Sequence, residues 1–313
     1  MEEPLRIIAR TEGVFLRREA IAAGYTDKML AALCRRKVLH RVRHGCYCFM
    51  DVWSTMTPEE QHLTLARAVL RVTPGPVVLS HVTALVAHGV AVWGVDLSRV
   101  DVTRLEKGAG RVEPDVRHHV GTCVEDEVTE VGGLRVMTVE RALVEMATVV
   151  TPESALVSAN AALHATLCDP DAIRRSFARS THWSGSRFVP TMLRLMDGRT
   201  ESVGESRSVW LFASQGLPVP DLQFEVYDEH GVLIAVTDFV WHDRSAFGEF
   251  DGKVKYTKLV REGEDPGEVV FREKQREDAV RRITGYACGR LVWSGLASPA
   301  RTAAYFRTIL GLD

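Results

Sequence analysis

Three charged residues at two-residue spacing, Glu249, Asp251 and Lys253, are the chain's sharpest chemical signal. At i, i+2 and i+4 an extended strand turns all three to one face. Asp238 lies on the preceding strand-like run, across a turn. Grouped carboxylates suit a hard divalent ion such as Mg²⁺, which takes few protein oxygens and completes its octahedron with water and phosphate. A lysine beside them can orient a water or stabilise charge on a pentavalent phosphorus. The chemistry implied is phosphodiester hydrolysis by in-line attack of water. Asp238, Glu249 and Asp251 are the expected metal ligands. Lys253 and Glu205 join them as catalytic candidates, although Ser202, three residues earlier, equally makes Glu205 half of a capping box. Asp238 sits among Val236, Phe239 and Val240, where an unpaired acid is costly, so it is expected to pair with Lys253 or to bind a cation.

A second constellation is basic. Residues 28–44 hold Lys28, Arg35, Arg36, Lys37, Arg41 and Arg43 with no acid, and residues 1–50 carry a net charge of +5 within a chain of net charge −2. That balance excludes indiscriminate nucleic-acid binding by the whole surface and allows a local site. Lys28, Arg35, Arg36, Arg41, Arg43 and His44 are the nucleic-acid-binding candidates. Cys34, His40, His44, Cys46 and Cys48 also offer zinc-type ligands, but Cys46-x-Cys48 is not the usual knuckle spacing, and on a strand both thiols fall on one face as small hydrophobes. His81, His88, His118 and His119 have no nucleophile or carboxylate at a meaningful sequence spacing and read as core or surface histidines.

The elements that must position these groups follow from local pattern. Short helices are expected at Pro4–Arg10 and Arg18–Ala23, and Thr26 caps a third whose outward face carries Lys28, Ala31 and Arg35. Strands Val38–Val42 and Cys46–Phe49 flank the turn Arg43-His44-Gly45. Three helices and a basic hairpin is the order of a winged helix-turn-helix, able to set its third helix in a major groove while the hairpin meets phosphates. Capped helices are expected from Thr57 to about Val72, and from Ser80, Thr138, Thr151 and Asp169, with another over Ser186–Met196. Strands are expected at Val100–Thr103 and Val112–Val120, with a Glu106-Lys107-Gly108 turn between. From Ser202 the order is αβββαβ: a helix, strands at Leu222–Tyr227, Val232–Trp241 and Ala246–Val254, a helix over Asp265–Tyr286, then Arg290–Trp293. Ser298 begins a last helix.

At 313 residues, 46% hydrophobic and 26% charged, the chain fits several globular domains rather than a disordered or fibrous protein. Residues 72–95 lack charge, but Pro74, Gly75, Pro76, His81 and His88 interrupt any spanning helix. Scattered cysteines and the absence of a leader-like start place the expected protein in the cytoplasm, with reduced thiols.

Residues 1 to about 150 resemble the AbiEi family of antitoxin and regulator proteins. The resemblance lies in Gly24-Tyr25-Thr26, Arg41-Val42-Arg43-His44-Gly45-Cys46-Tyr47, Ser80-His81-Val82-Thr83-Ala84 and Gly133-Leu134-Arg135-Val136-Met137-Thr138 before Arg141. That family usually has a bulky hydrophobe where Cys46 stands and often Gly where Lys37 stands. It implies a DNA-binding winged domain, often controlling its own operon. Residues 201–296 resemble the very-short-patch-repair endonucleases of the PD-(D/E)XK fold, through Glu205, Gly216-Leu217-Pro218, Asp238-Phe239-Val240-Trp241, Glu249-Phe250-Asp251-Gly252, Lys253-Val254-Lys255-Tyr256 and Val292-Trp293. In the broader fold a Lys stands two positions after the second acid; here Asp251-x-Lys253 has it and Glu249-x-Asp251 does not.

The expectation is an α/β multidomain protein: an N-terminal winged helix-turn-helix over 1–50, a mixed α/β middle region with a helical connector over 51–200, and a C-terminal αβββαβ restriction-endonuclease-like domain over 201–313. DNA binding with a Mg²⁺-dependent endonuclease activity is the leading function. The alternative is a non-enzymatic antitoxin or repressor that binds operator DNA and counters a nucleotidyltransferase toxin. No membrane partner is expected.

Overall fold

The computed structural model describes residues 3–105, 110–121, 124–252 and 266–312. Lys253, the Glu106–Gly108 turn and the expected strand end at Val254 lie outside them. The architecture is mixed α/β with three sheets. Contacts divide the chain into two compact units, one of residues 1–150 with 171–189, the other of 151–170 with 190–313. The expected boundary at residue 50 falls inside the first unit and that at residue 200 inside the second.

In the first unit, helices α1 (Glu3–Glu12), α2 (Arg17–Ala22) and α3 (Asp27–Arg35) precede strands β2 (Leu39–Arg43) and β3 (Cys46–Phe49). A two-residue strand β1 (Phe15–Leu16), absent from the sequence expectation, pairs with β3 to give the order β1-β3-β2. Thr26 caps α3, its Oγ1 accepting from the Met29 amide at 3.3 Å. At the other end Lys37 takes a left-handed φ of 55°, and the amides of Lys37 and Val38 turn back to the carbonyls of Cys34 and Leu33. A glycine usually closes this motif. Leu5, Phe15, Ala20, Tyr25, Leu30, Leu39 and Phe49 form the core of this module.

The module does not stand alone. After α4 (Met50–Trp53), helix α5 (Pro58–Val72) starts as expected, with Thr57 and Glu60 closing a capping box. Val14, Leu16, Cys46 and Cys48 pack against Ala68 of α5, and Arg71 of α5 donates to the Val14 carbonyl at 2.6 Å. Beyond it a six-stranded mixed sheet has the order β6-β7-β5-β4-β9-β8, formed by β4 (Val77–Leu79), β5 (Val100–Arg104), β6 (Arg111–Val112), β7 (Val116–Val120), β8 (Val128–Val131) and β9 (Leu134–Met137). Gly132 and Gly133, both at positive φ, make the two-residue hairpin turn between β8 and β9. Helices α6 (His81–Ala87) and α7 (Val139–Ala147) pack on each other beside this sheet.

The second unit begins with α8 (Pro152–His164), capped by Thr151. Helix α9 (Pro170–Ala178) lies in the segment that returns to the first unit; the second resumes with α10 (Val189–Leu195) and α11 (Val203–Ser214), and β10 (Asp221–Tyr227), β11 (Leu233–Trp241) and β12 (Ala246–Asp251) run as an antiparallel meander. Helix α12 (Pro266–Thr284) crosses to β13 (Ala287–Val292), parallel to β12, so the sheet order is β10-β11-β12-β13 and the element order is αβββαβ. Helices α13 (Trp293–Leu296) and α14 (Pro299–Ile309) follow. Among the described residues, no helix is long and apolar enough to cross a membrane.

Candidate functional site

Strand alternation on β11 buries Ala235, Thr237 and Phe239 and turns Val236 and Asp238 toward a cavity of about 570 Å³. Asp238 is therefore half-buried, not enclosed among apolar side chains as the sequence suggested. Its Oδ2 accepts the Phe250 amide of β12 at 2.6 Å. The registered pairs run Trp241↔Ala246, Val240↔Phe247 and Phe239↔Gly248, where the ladder ends; Asp238 and Glu249 are the next residues on the two strands. Glu249 and Asp251 line the same cavity. Burial raises the Glu249 carboxyl above its usual range, the nearby Asp238 charge raises it further, and Arg276 of α12 opposes both by donating to Oε1 at 3.2 Å. Asp251 stands 3.7 Å from Arg290 of β13, which also bonds Glu277.

The three acids expected to converge thus share one cavity, and Arg199, Arg276 and Arg290 share it with them. Among the described residues, no three His, Cys, Asp or Glu side chains stand close enough to hold a metal ion. The donor set, oxygen only and partly desolvated, is still the type that Mg²⁺ uses when one or two carboxylates hold it and phosphate supplies the rest.

Glu205 is elsewhere. Its amide donates to Ser202 Oγ at 3.2 Å, its Oε1 accepts from that hydroxyl at 2.7 Å, and its Oε2 accepts the Glu201 amide at 2.8 Å. This is helix-capping geometry, and Glu205 is not among the residues lining the cavity. Gln223, which reaches toward Glu205 Oε2, does line it, and holds a left-handed φ of 53° inside β10. His164 at the end of α8 is a wall residue that the sequence reading missed. Its Nδ1 bonds the Gly198 carbonyl at 3.0 Å, which places the proton of the neutral ring on Nδ1 and leaves Nε2 a proton acceptor. Nothing local marks His164; only the fold brings it there.

On the N-terminal module, Lys28, Ala31 and Arg35 share the exposed outer face of α3, with Arg36 and Lys37 just beyond. Arg41 and His44 are exposed on the hairpin and bonded to each other at 3.1 Å. Arg43 is different: its guanidinium, 14% exposed, bonds Asp115 at 3.0 Å and approaches Glu113. It ties β2 to the loop before β7. Cys46 and Cys48 are buried, the Cys48 thiol pushed up to about 12 by desolvation, and His40 stacks on Trp53. These are packing roles.

The histidines of the middle region do have acidic partners. His119 Nε2 meets Asp101 at 2.7 Å, His118 Nε2 meets Glu113 at 3.3 Å, and the His81 amide donates to Glu145. His88 bonds the Met137 carbonyl.

Residues 2–49 match the family model described as a transcriptional regulator, AbiEi antitoxin. Two curated proteins of Mycobacterium tuberculosis, one from strain CDC 1551 / Oshkosh and one from strain ATCC 25618 / H37Rv, are each 28% identical over 172 residues; both carry the name of uncharacterized proteins. The match covers 55% of this chain and 63% of each relative, less than two thirds of their length. The chain is thus similar to AbiEi-type regulators over its N-terminal module.

Proposed function

We propose that the chain is a DNA-binding transcriptional regulator whose N-terminal module acts as a winged helix. The observation that carries this reading is the exposed basic run on α3 and the β2–β3 hairpin, with no acid from residue 28 to residue 44 and with Asp27, which opens α3, already paired to Arg17. With α3 in a major groove, Lys28 and Arg35 meet phosphates or base edges, and Arg41 and His44 contact the flanking backbone. The antitoxin description of the matching family supports a toxin partner, here taken as a nucleotidyltransferase. The test is duplex binding followed across salt concentration. Arg41→Ala should lower the slope of log affinity against log salt by about 1, as one phosphate contact is lost. Arg43→Ala should leave the slope unchanged, because Asp115 already occupies its charge. A slope unaffected by Arg41→Ala removes the hairpin from the interface.

A second reading, phosphodiester hydrolysis on a PD-(D/E)XK-like fold, is favoured by one observation: Asp238, Glu249 and Asp251 line one cavity that also contains arginines. One or two of Asp238, Glu249 and Asp251 would hold Mg²⁺, with water and phosphate completing its shell. When bound, such an ion supplies an activated water and offsets charge on the departing oxygen. The chain's own groups would do the rest: Arg276 and Arg290 exchange carboxylates for phosphate oxygens, and His164 accepts a proton at Nε2. Mg²⁺ or Mn²⁺ should raise the melting temperature of the wild type and not of Glu249→Gln, and Lys253→Ala should retain that response while losing plasmid nicking. With no thermal response and no nicking, the cavity belongs to a non-enzymatic regulator.

A further inference from the structure

A second cavity, of about 580 Å³, opens beside the six-stranded sheet, between β5, β7, α7 and the segment His182–Gly185. One wall is Thr103 of β5, 2% exposed, whose Oγ1 has no hydrogen-bond partner among the described residues. A buried hydroxyl left unsatisfied is costly, and its placement against a cavity asks for a ligand atom.

The surrounding charges say what kind of ligand. Asp101 bonds His119 at 2.7 Å and Arg117 at 3.3 Å. Arg141 bonds both Glu127 and Glu145 at 2.9 Å, and Arg179 adds a second cation to Glu127. Of these acids Glu145, 2% exposed, lines the cavity, and Asp101 and Glu127 stand behind it already bonded to the His119 and Arg141 that do, so an incoming phosphate or carboxylate would face a cation whose charge is taken. A metal would have to displace Asp101 from His119. Ser80, His81 and Glu145 do not form a nucleophilic relay: Ser80 Oγ at 2.9 Å and Glu145 at 3.6 Å both address Nδ1 of His81, so the ring does not pass a proton from hydroxyl to carboxylate. An uncharged ligand remains.

Its shape follows from the walls. The His81 and His119 rings stack with centroids 3.6 Å apart and planes within 18°, and the Arg141 guanidinium lies 4.2 Å over the Trp183 ring. Planar groups thus layer around the cavity. His81 holds a left-handed φ of 50°, a conformation costly to a residue with a Cβ and retained where the surroundings impose it. At Gly185 a Cβ would lie 2.3 Å from the Thr148 carbonyl oxygen, so the Trp183 segment closes against α7 only with glycine there.

We propose that this cavity is an effector site for an uncharged nucleoside, its base stacked on the ring surfaces and a hydroxyl or ring nitrogen bonded to Thr103 Oγ1. The experiment is thermal denaturation of the full chain with adenosine, guanosine, cytidine, uridine or inorganic phosphate at millimolar concentration, for wild type, Thr103→Val and Thr103→Ser. At least one nucleoside should raise the wild-type and Thr103→Ser melting temperature by about 5 °C. Thr103→Val should melt at or above the wild type without nucleoside, since an unsatisfied hydroxyl is gone, and should lose most of the nucleoside shift. The proposal is overturned if no nucleoside shifts the wild type, if phosphate shifts it equally, if Thr103→Val keeps the full response, or if Thr103→Val alone melts lower.

Discussion

Arg41 and Arg43 show how the same residue type takes different work from its surroundings. Arg43 and Arg41 stand two apart in one basic run, and sequence gives no ground to separate them. The difference comes from Asp115 and Glu113, seventy positions away, which only the folded sheet brings to β2. Arg43→Ala should accordingly cost about 1–3 kcal/mol in denaturant unfolding, the range for losing a charged hydrogen bond that is only partly solvated. Arg41→Ala should cost little. Glu249 carries a pH signature. Its folded carboxyl is raised above the ordinary 4.5, chiefly by burial. The group therefore favours the fold while protonated in both states, and that contribution is lost as pH rises from 4.5 through the raised folded value. Glu249→Gln, which cannot ionise, should be more stable than wild type at neutral pH, with the gap closing below pH 4.5. A gap that persists unchanged at low pH would assign the effect to packing.

Elements begun by local chemistry were legible; elements held by distant chemistry were not. Thr26, Thr57, Thr151 and Ser202 each accept an amide from the first turn of their helix, and a cap of this kind is written in three or four adjacent residues. Strand β1 is only two residues long, too short for any period, and exists because β3 offers it an edge. The carboxylate cavity was half legible. Alternation put Glu249 and Asp251 on one side of β12, but His164, Gln223 and Arg290 arrive from α8, β10 and β13. Contact between α11 and β12 sets that strand's position tightly. A Cβ at Gly204 would fall 2.0 Å from the Phe250 ring, which is itself packed edge-on against Trp293. Neither ring can easily give way, so Gly204→Ala should destabilise the protein by about 1–3 kcal/mol despite alanine's better helix propensity. Unfolding by urea checks this; a stabilised variant would mean that the ring can move aside.

At the scale of the whole molecule, the sequence suggested three consecutive blocks, whereas the compact units are interleaved along the chain. Residues 171–189 return to the first unit, where Arg179 reaches Glu127 and Trp183 covers Arg141. Helix α8 belongs to the second unit, where Asn160 bonds Ser206 at 3.1 Å and the Asp197 amide at 2.9 Å. Composition could not reveal this, because Ala- and Ser-rich α8 reads as an ordinary connector until its buried faces are known. A fragment of residues 1–150 should therefore melt below one of residues 1–189, and residues 201–313 should be less stable than residues 151–313. Calorimetry of the four fragments decides it, and equal melting within each pair would show that the returning segments contribute nothing.

The interleaving also has a consequence for birth of the chain on the ribosome. Domains generally fold in the order in which they are made. Here the first unit cannot close until residue 189 has emerged, and by then α8 is already in the open, with nine residues destined for burial and no partner yet synthesised. The nascent chain must hold an apolar helix exposed while Asn160 waits for Ser206, an interval in which a chaperone or a neighbouring nascent chain competes with the native contact.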